Sequence, residues 1–324
     1  MKNIGVFTSG GDSPGMNACI RAVVRTGISM GFQVYGIRDG YEGMIDDDII
    51  PMDSKSVSNI MQLGGTILRT ARSERFMHAE GRKKAYDNLK KRSIDALVAI
   101  GGNGTFTGAK VFMQEYPDIK IVGTPGTIDN DLYGTDFTIG FDTAVNTAMS
   151  AIDNIKDTAN AHNRLFFVEV MGRDAGFIAM RTGIATGAEA ILVPETPTDM
   201  QKLIDILDKR RQHNKSSSAI VVVAEGDEAG GALEAAAEAK KALPGYDIRV
   251  TILGHIQRGG RPTCSDRVLA TRLGLEAVRA LAEQKSGVML GIIHKDVVYI
   301  PFDKAIKYNQ RINPLMLEMV DILS

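Results

Sequence analysis

The sequence has 324 residues, of which 44% are hydrophobic and 24% are charged, and its formal net charge is −1. This length and composition are typical of a soluble globular protein with one large or two ordinary domains. The near-zero charge excludes attraction of the whole chain to nucleic acid or to an anionic membrane, so any phosphate must be bound by a local cluster of basic residues.

Three features indicate the compartment. The two cysteines, Cys19 and Cys264, are too few for a disulfide framework. The opening stretch MKNIGVFTSGGD is a strand and a loop, without the apolar core and cleavage site of a signal peptide. No apolar run approaches the roughly 18 residues that span a bilayer. We therefore expect a cytoplasmic protein that binds neither membranes nor nucleic acid.

The chain begins with a strand, a glycine-rich turn and a helix. Asn3–Thr8 is apolar, SGGDSPG follows at 9–15, and a helical pattern runs from Met16 to about Met30. Such a turn places backbone N–H groups and the positive end of a helix where an anion can bind. The turn matches neither the Walker A nor the GxGxxG pattern, so by itself it is equally typical of any tight strand-to-helix connection.

The same unit then recurs along the first half. Ile94–Ile100 is an apolar strand, GGNGT at 101–105 leads into a helix through Tyr116, and the strand Ile119–Gly123 ends in PGTIDND at 125–131. Between these units lie a GGT turn at 64–66 and the basic run RTARSER at 69–75. Three such loops at the carboxyl ends of parallel strands are predicted to converge on one crevice of the sheet.

The PGTIDND loop offers a hydroxyl and two carboxylates. If the segment is extended, alternation places Thr127, Asp129 and Asp131 on one side. One carboxylate could then hold a divalent cation while the other acts as a base. The alternative is an Asx-rich turn that caps the next helix.

The second half continues the alternation of helices and strands. Helices are predicted from Phe141 to about Ala161, over Met200–His213 and Leu233–Ala242, from Asp266 to about Gln284, and at the end to Leu323. Strands are predicted over Leu165–Val170, Ile191–Val193, Ala219–Ala224 and Ile248–Leu253, and as a hairpin of Val288–Ile293 with Val297–Ile300. This order predicts a layered α/β protein with mostly parallel sheets.

Arginines recur at the ends of these strands, where a bidentate contact with phosphate is possible. Each arginine alone is more typical of a surface ion pair, and a single histidine is more often structural. Together they favour a phosphorylated substrate; the set is Arg164, Arg173, Arg249 and Arg258, with Glu225 and His255.

Seven segments carry a resemblance to bacterial 6-phosphofructokinase. They are TSGGDSPGMN (8–17), TAR (70–72), IGGNGT (100–105), PGTIDND (125–131), VEVMGR (168–173), AEG (224–226) and GHIQRGG (254–260). The resemblance fades only after about Pro301. It implies two Rossmann-like layered α/β domains with mostly parallel sheets and the active site in the cleft between them. The ATP-binding domain would take 1–140 and about 257–307, and the sugar-phosphate domain 141–256 and about 308–324.

The resemblance also implies an ATP-dependent phosphorylation of fructose 6-phosphate at its 1-hydroxyl, with Mg²⁺, in a homotetramer. Asp129 would be the base, Thr127 would lie beside the transferring phosphoryl, and Asp131 would belong to the magnesium environment. The ATP site would be Gly11, Arg72, Ser73, Gly102, Asn103, Gly104 and Thr105, with Gly11, Arg72 and Arg173 also acting in catalysis. The sugar phosphate would contact Thr127, Ile128, Asp129, Arg164, Met171, Gly172, Arg173, Glu225, Arg249, His255, Ile256, Gln257 and Arg258, with Arg164 and Arg249 reaching a neighbouring subunit's site.

Two departures from the family pattern matter. Asn103 stands where the family has an acidic magnesium ligand, and a neutral amide should hold a hard cation less firmly. In the effector site, Arg21, Arg25 and Glu189 match the family. Lys156 and Ser54 replace arginines there, and the stretch 213–218 lacks the family's lysines and histidine. We therefore expect weak allosteric control.

Two alternatives to an active ATP-dependent kinase remain. Pyrophosphate-dependent relatives carry Asp and Lys where this chain has Gly104 and Gly126, and both glycines favour ATP. The other alternative is a nucleotide- or sugar-phosphate-binding protein with little activity, which the neutral Asn103 would explain.

Overall fold

The computed structural model describes residues 2–213, 218–228 and 230–323. Its strands are β1 (Asn3–Ser9), β2 (Gln33–Ile37), β3 (Ile49–Met52), β4 (Ile94–Gly101), β5 (Lys120–Pro125), β6 (Arg164–Val170), β7 (Ala190–Leu192), β8 (Ala219–Ala224), β9 (Asp247–Ile252), β10 (Val288–Ile293) and β11 (Asp296–Pro301). Its helices are α1 (Met16–Ser29), α2 (Gly40–Asp46), α3 (Ala79–Lys91), α4 (Asn103–Glu115), α5 (Phe141–His162), α6 (Phe177–Thr186), α7 (Met200–His213), α8 (Ala232–Ala242), α9 (Cys264–Ala282), α10 (Phe302–Lys307) and α11 (Pro314–Leu323). The helices of this part of the chain lack the combination of length and apolar character that a bilayer crossing requires.

The larger sheet has seven strands in the order β11-β10-β5-β4-β1-β2-β3. Its interior pairs are parallel, whereas β3 and β11 pair antiparallel at the two edges. Because β5, β4 and β1 are neighbours, their carboxyl ends meet at one edge of the sheet. The loops after these three strands are therefore adjacent, as the sequence predicts.

The smaller sheet has four strands in the order β7-β8-β6-β9, and all its pairs are parallel. The predicted α/β fold with mostly parallel sheets is thus confirmed. The strand β9 lies at an edge, and its residues are mostly half-buried or exposed.

The chain divides into two compact units. The first unit is Met1–Ile128, Leu132–Thr143 and Arg258–Gln310, and the second is Asp129–Asp131, Ala144–Gln257 and Arg311–Ser324. The assignment of ATP to one domain and of sugar phosphate to the other stays a prediction.

The strands of the first unit alternate between two hydrophobic cores, one on each face of the larger sheet. In β1, Val6 packs into one core and Phe7 into the other; in β4, Val98 and Ala99 do the same. Successive side chains of a strand point to opposite faces, so a strand that is apolar throughout is covered on both sides. The core of the second unit includes Phe167.

Three predictions need correction. The strand before PGTIDND does not stop at Gly123 but continues to Pro125 as β5. The loop itself is not extended, because it bends at Ile128 and because Asn130 has φ +53°. The alternation expected of an extended segment therefore does not place Thr127, Asp129 and Asp131 on one side. The final segment forms two helices, α10 and α11, and between them Asn309 forms a bridge with Leu132.

Candidate active site

The glycine-rich loop after β1 is held by contacts from distant parts of the first unit. Thr70 Oγ1 donates a hydrogen bond to the Gly10 carbonyl at 2.8 Å, and Arg258 Nη1 donates to the Asp12 carbonyl at 3.3 Å. A Cβ atom added to Gly11 would lie 2.6 Å from Arg258 Nη1, so a side chain at position 11 would displace the Arg258 guanidinium from its present place. The predicted ATP residue Gly11 and the predicted sugar-phosphate residue Arg258 are therefore neighbours.

The basic run at 69–75 contains two paired arginines and one unpaired arginine. Arg69 Nη2 lies 2.6 Å from Asp39 and 3.2 Å from Asp48, and Arg75 forms ion pairs with Glu42 and Asp46. Arg72 has no ion pair within the described residues. It is exposed, so its guanidinium is the one in this run that can bind an anion.

Ser73, another predicted ATP residue, donates its hydroxyl hydrogen to Glu42. The same Glu42 carboxylate pairs with Arg75. The Ser73 side chain therefore helps to shape the loop that carries Arg72, and its hydroxyl is already engaged.

The loop after β4 brings Asn103 to the start of α4. Thr105 Oγ1 donates to the Ser9 carbonyl at 3.0 Å and so ties this loop to the end of β1. The Oδ1 atom of Asn103 is buried and accepts no hydrogen bond from the described residues. This buried acceptor suits a partner that the protein itself does not supply.

The PGTIDND loop contains the proposed base. Asp129 is 8% exposed, and its neighbour Asp131 is half-buried. Burial and the nearby Asp174 raise the pKa of Asp131, while Arg173 opposes this shift. The backbone of the loop is held in part by Thr138, whose Oγ1 donates to the Thr127 carbonyl at 2.6 Å.

In the second unit, side chains hold the backbone of the predicted sugar-phosphate loops. Glu225 Oε1 accepts a hydrogen bond from the Arg173 N–H at 2.7 Å and lies 3.4 Å from the Gly172 nitrogen. Arg173 has φ +55° and an exposed side chain. The structure thus joins three of the predicted residues, with Glu225 acting on the backbone of the other two.

Gln257 and Met171 are also brought together. Gln257 is fully buried; its Oε1 accepts from the Met171 N–H at 3.2 Å and its Nε2 donates to the Gly254 carbonyl at 3.0 Å. The neighbours His255 and Ile256 are exposed on the same short turn. The Gln257 amide is therefore engaged by the protein, whereas His255 is accessible to a ligand.

Sequence reasoning missed Asp247, which lies between two predicted phosphate ligands. Its carboxylate is 2.7 Å from Arg164 Nε and 3.0 Å from Arg249 Nε. Hydrogen bonds from Arg164 first, and then from Arg249, lower the pKa of Asp247. A signal was present in the sequence, since two residues in one strand separated by one position share a face.

The residues predicted for an effector site are partly engaged by the protein itself. Glu189, which is 7% exposed, accepts from the Ile220 N–H at 2.6 Å and pairs with Arg210 at 2.8 Å. Lys156 donates to the carbonyl groups of Thr186 and Gly187, at the end of α6. Arg21 and Arg25 lie on α1 of the first unit, Ser54 is exposed, and the residues 214–217 lie outside the described part of the chain.

Oxygen ligands for a magnesium ion are available in the proposed positions. Asn103 supplies an amide oxygen whose hydrogen-bonding capacity is unused among the described residues, and Asp131 supplies a carboxylate. Mg²⁺ retains most of its waters and takes only one or two carboxylates besides phosphate oxygens. Each of the two residues thus offers an oxygen that suits such an ion, although the described residues contain no cluster of three or more acidic, histidine or cysteine ligands.

Comparisons with known proteins give one consistent family. A sequence profile described as Phosphofructokinase matches residues 3–281. The chain is 56% identical over 324 residues to the ATP-dependent 6-phosphofructokinase of Cytophaga hutchinsonii, with 100% of this chain and 98% of that protein covered. It is 54% identical over 324 residues to ATP-dependent 6-phosphofructokinase 1 of Thermus thermophilus, with 100% of both chains covered.

Solved structures agree on the fold. The phosphofructokinase of Saccharomyces cerevisiae superposes with a TM-score of 0.89 at 40% identity, covering 95% of this chain and 45% of the yeast chain. A pyrophosphate-dependent phosphofructokinase from Marinobacter aquaeolei gives a TM-score of 0.84 at 23% identity, covering 97% of this chain and 86% of that one. The latter likeness concerns the fold alone.

Proposed function

Because the chain belongs to the phosphofructokinase family, we propose that it transfers the γ-phosphoryl group of ATP to the 1-hydroxyl of fructose 6-phosphate. The products are fructose 1,6-bisphosphate and ADP, and the reaction is a step of glycolysis. The observation that carries this conclusion is the identity of 54–56%, over the whole chain, with relatives named ATP-dependent 6-phosphofructokinase. The enzyme is thus a phosphotransferase with an alcohol as acceptor.

Two glycines support ATP as the donor. A Cβ atom added to Gly104 would meet no atom within 4 Å, so the space beside this residue is open. A Cβ atom added to Gly126 would lie 3.0 Å from Met16 Cε and 3.1 Å from Ile100 Cγ2. A larger residue at position 126, such as the lysine of pyrophosphate-dependent relatives, would therefore require its neighbours to move.

The roles of the catalytic residues follow from what phosphoryl transfer requires. The reaction needs alignment and stabilisation of spreading charge more than covalent chemistry. Asp129 accepts the proton of the attacking hydroxyl, and Thr127 lies beside the transferring phosphoryl. The unpaired Arg72 and the exposed Arg173 stabilise the charge. Asp131 and Asn103 would hold magnesium, which when bound neutralises charge on the β- and γ-phosphate oxygens.

The sugar phosphate is bound by the basic residues that the sequence predicts for it. Arg164 and Arg249 are held at the edge strand β9 by Asp247, and Arg249 is exposed there. Exposure at an edge strand supports a role in a neighbouring subunit's site, as expected for the homotetramer that the resemblance to the family implies. Two free cysteines support a reducing, cytoplasmic location.

A coupled assay for fructose 1,6-bisphosphate tests the function. We expect turnover with ATP and much less with pyrophosphate at the same concentration. An Asp129→Asn preparation, purified in parallel, controls for enzymes of the expression host. Turnover with pyrophosphate equal to or above that with ATP would refute the donor assignment. Binding of both substrates without turnover would favour a protein that has lost its activity.

A further inference from the structure

The first residues of α5, which belong to the first unit, and the start of α9 are joined by side-chain hydrogen bonds. Thr143, at the start of α5, donates its hydroxyl to Asp266 at 2.5 Å and accepts from the Thr263 N–H at 3.1 Å. Thr263, at the start of α9, donates to Asp142 at 2.6 Å and lies 3.3 Å from the Asp266 nitrogen. We call Asp142, Thr143, Thr263 and Asp266 the capping ring.

Asp266 is the member of the capping ring with the most contacts. Its Oδ1 accepts from the Gly140 N–H and its Oδ2 from the Thr143 N–H, both at 2.8 Å. The residue is 1% exposed. Burial, and more weakly the charge of Asp142, raise the pKa of Asp266 to about 6 despite these three donors. A helix start can be capped at lower cost by an exposed residue close in sequence, so the burial of this carboxylate calls for a further role.

The capping ring holds the segment 138–140 against two loops of the active site. Ile139 donates its N–H to the Pro125 carbonyl at 2.8 Å, and Thr138 Oγ1 donates to the Thr127 carbonyl. On its other side the segment touches the glycine-rich loop, since a Cβ atom added to Gly140 would lie 2.5 Å from Ser13 Cβ. Gly140 has φ +100°, a conformation that only glycine adopts readily.

We propose that Asp266 is a positioning residue for phosphoryl transfer: its carboxylate fixes the segment 138–140, which fixes the backbone of Thr127. This inference rests on the proposed function. Asp266 itself contacts neither substrate, so it acts through the placement of Thr127 beside the transferring phosphoryl. An error of about 1 Å in such a placement can reduce the rate by about a hundredfold. The effect therefore falls chiefly on kcat, because the rate depends on alignment more steeply than the KM of either substrate does.

The variant Asp266→Asn tests the proposal, because it keeps the shape but leaves one of the two backbone N–H groups without an acceptor. We expect kcat to fall by about tenfold to a hundredfold, with both KM values within about twofold of the wild type. Thr143→Val removes only the hydroxyl and should cause a smaller fall in kcat. Thr143→Ser keeps the hydroxyl, so its kcat should equal that of the wild type.

A control separates positioning from stability. Asn88 is 3% exposed and donates to the carbonyl groups of Met44 and Ile45 in the first unit, away from the segment 138–140. Asn88→Ala should lower the unfolding temperature and leave kcat unchanged. If Asp266→Asn does not fold, the two variants of Thr143 test the proposal instead. A lower kcat in Thr143→Val than in Thr143→Ser supports positioning by Asp266, and equal kcat values refute it.

The outcomes also separate this inference from the proposed function. A wild-type protein without ATP-dependent turnover would refute the function itself. An active wild type whose kcat is unchanged in Asp266→Asn and Thr143→Val would refute positioning by Asp266. A rise in KM at constant kcat would refute it as well.

Discussion

The neutral residue at the start of α4 leads to the sharpest prediction. Asn103→Asp changes an amide to a carboxylate of the same shape. Thr107 Oγ1 donates to the main-chain carbonyl of Asn103 at 2.9 Å, but the side-chain Oδ1 accepts nothing from the described residues. An unsatisfied buried acceptor costs about 1–3 kcal/mol. A hydrogen-bonding role within the turn therefore does not account for this oxygen.

The magnitude follows from the difference between a neutral and a charged ligand. A contact to a charged group contributes about 1.5–3 kcal/mol, which corresponds to a factor of about 10 to 150 in affinity. The positive end of α4 also favours a carboxylate at this position by about 0.3–1 kcal/mol, with or without the ion, so the variant should fold as the wild type does. We expect the free Mg²⁺ needed for half-maximal activity to fall by about tenfold or more in Asn103→Asp. The value of kcat should rise, because the metal neutralises charge that develops in the transition state.

The assay is a titration of activity against free Mg²⁺ at fixed MgATP, with the KM of fructose 6-phosphate measured in parallel and expected to be unchanged. A second readout is the shift in unfolding temperature with Mg²⁺ alone. The matched control is Asn59→Asp, which adds the same charge on an exposed loop after the edge strand β3. Superimposable Mg²⁺ curves for wild type and Asn103→Asp, with equal thermal shifts, would refute the reasoning.

Three further predictions concern the base, the sugar phosphate and regulation. Asp129→Asn should reduce kcat by about 10²–10⁴-fold with little change in the KM of fructose 6-phosphate, and a loss below about tenfold would place the base elsewhere. Arg249→Ala should raise that KM by about 10- to 150-fold, since a charge-assisted contact is lost; full activity in a proven monomer would contradict a shared site. Phosphoenolpyruvate should inhibit poorly and ADP should activate little, because Glu189 and Lys156 are already engaged. A strongly sigmoidal substrate curve relieved by ADP would contradict this expectation.

The sequence predicted those parts of the fold that depend on local patterning. The apolar runs at β1, β4 and β8 are covered on both faces, so their composition alone indicates buried strands. The adjacency of the loops after β1, β4 and β5 followed from the rule that loops at the carboxyl ends of parallel strands meet. The bend in PGTIDND was open at the sequence level, where an extended loop and an Asx-rich turn were both possible; the left-handed conformation of Asn130, a residue type that adopts it more readily than most, agrees with a bend.

The sequence indicated which residues are candidates for the site, but it did not indicate which of them contact each other. Arg258 and Asp12 meet across 246 positions of sequence, and no pattern in either segment indicates the other. The same holds for Asp266, whose donors lie at 140 and 143. Asp247 differs, because its spacing from Arg249 was visible in the strand and only its importance was missed.

The ion pairs of Arg69 and Arg75 affect the net charge of the surface around Arg72. Their four partners are Asp39, Glu42, Asp46 and Asp48, of which Asp48 also pairs with Arg38. These carboxylates offset the charges of Arg69 and Arg75, so the two arginines add little net positive charge to the surface around Arg72. Long-range steering of an anion toward such a surface is weak, and the Debye length of about 8 Å at physiological ionic strength shortens it further. For the ATP site proposed above, capture of the nucleotide would depend on direct contact with Arg72, and we expect its association rate to change little when salt is added.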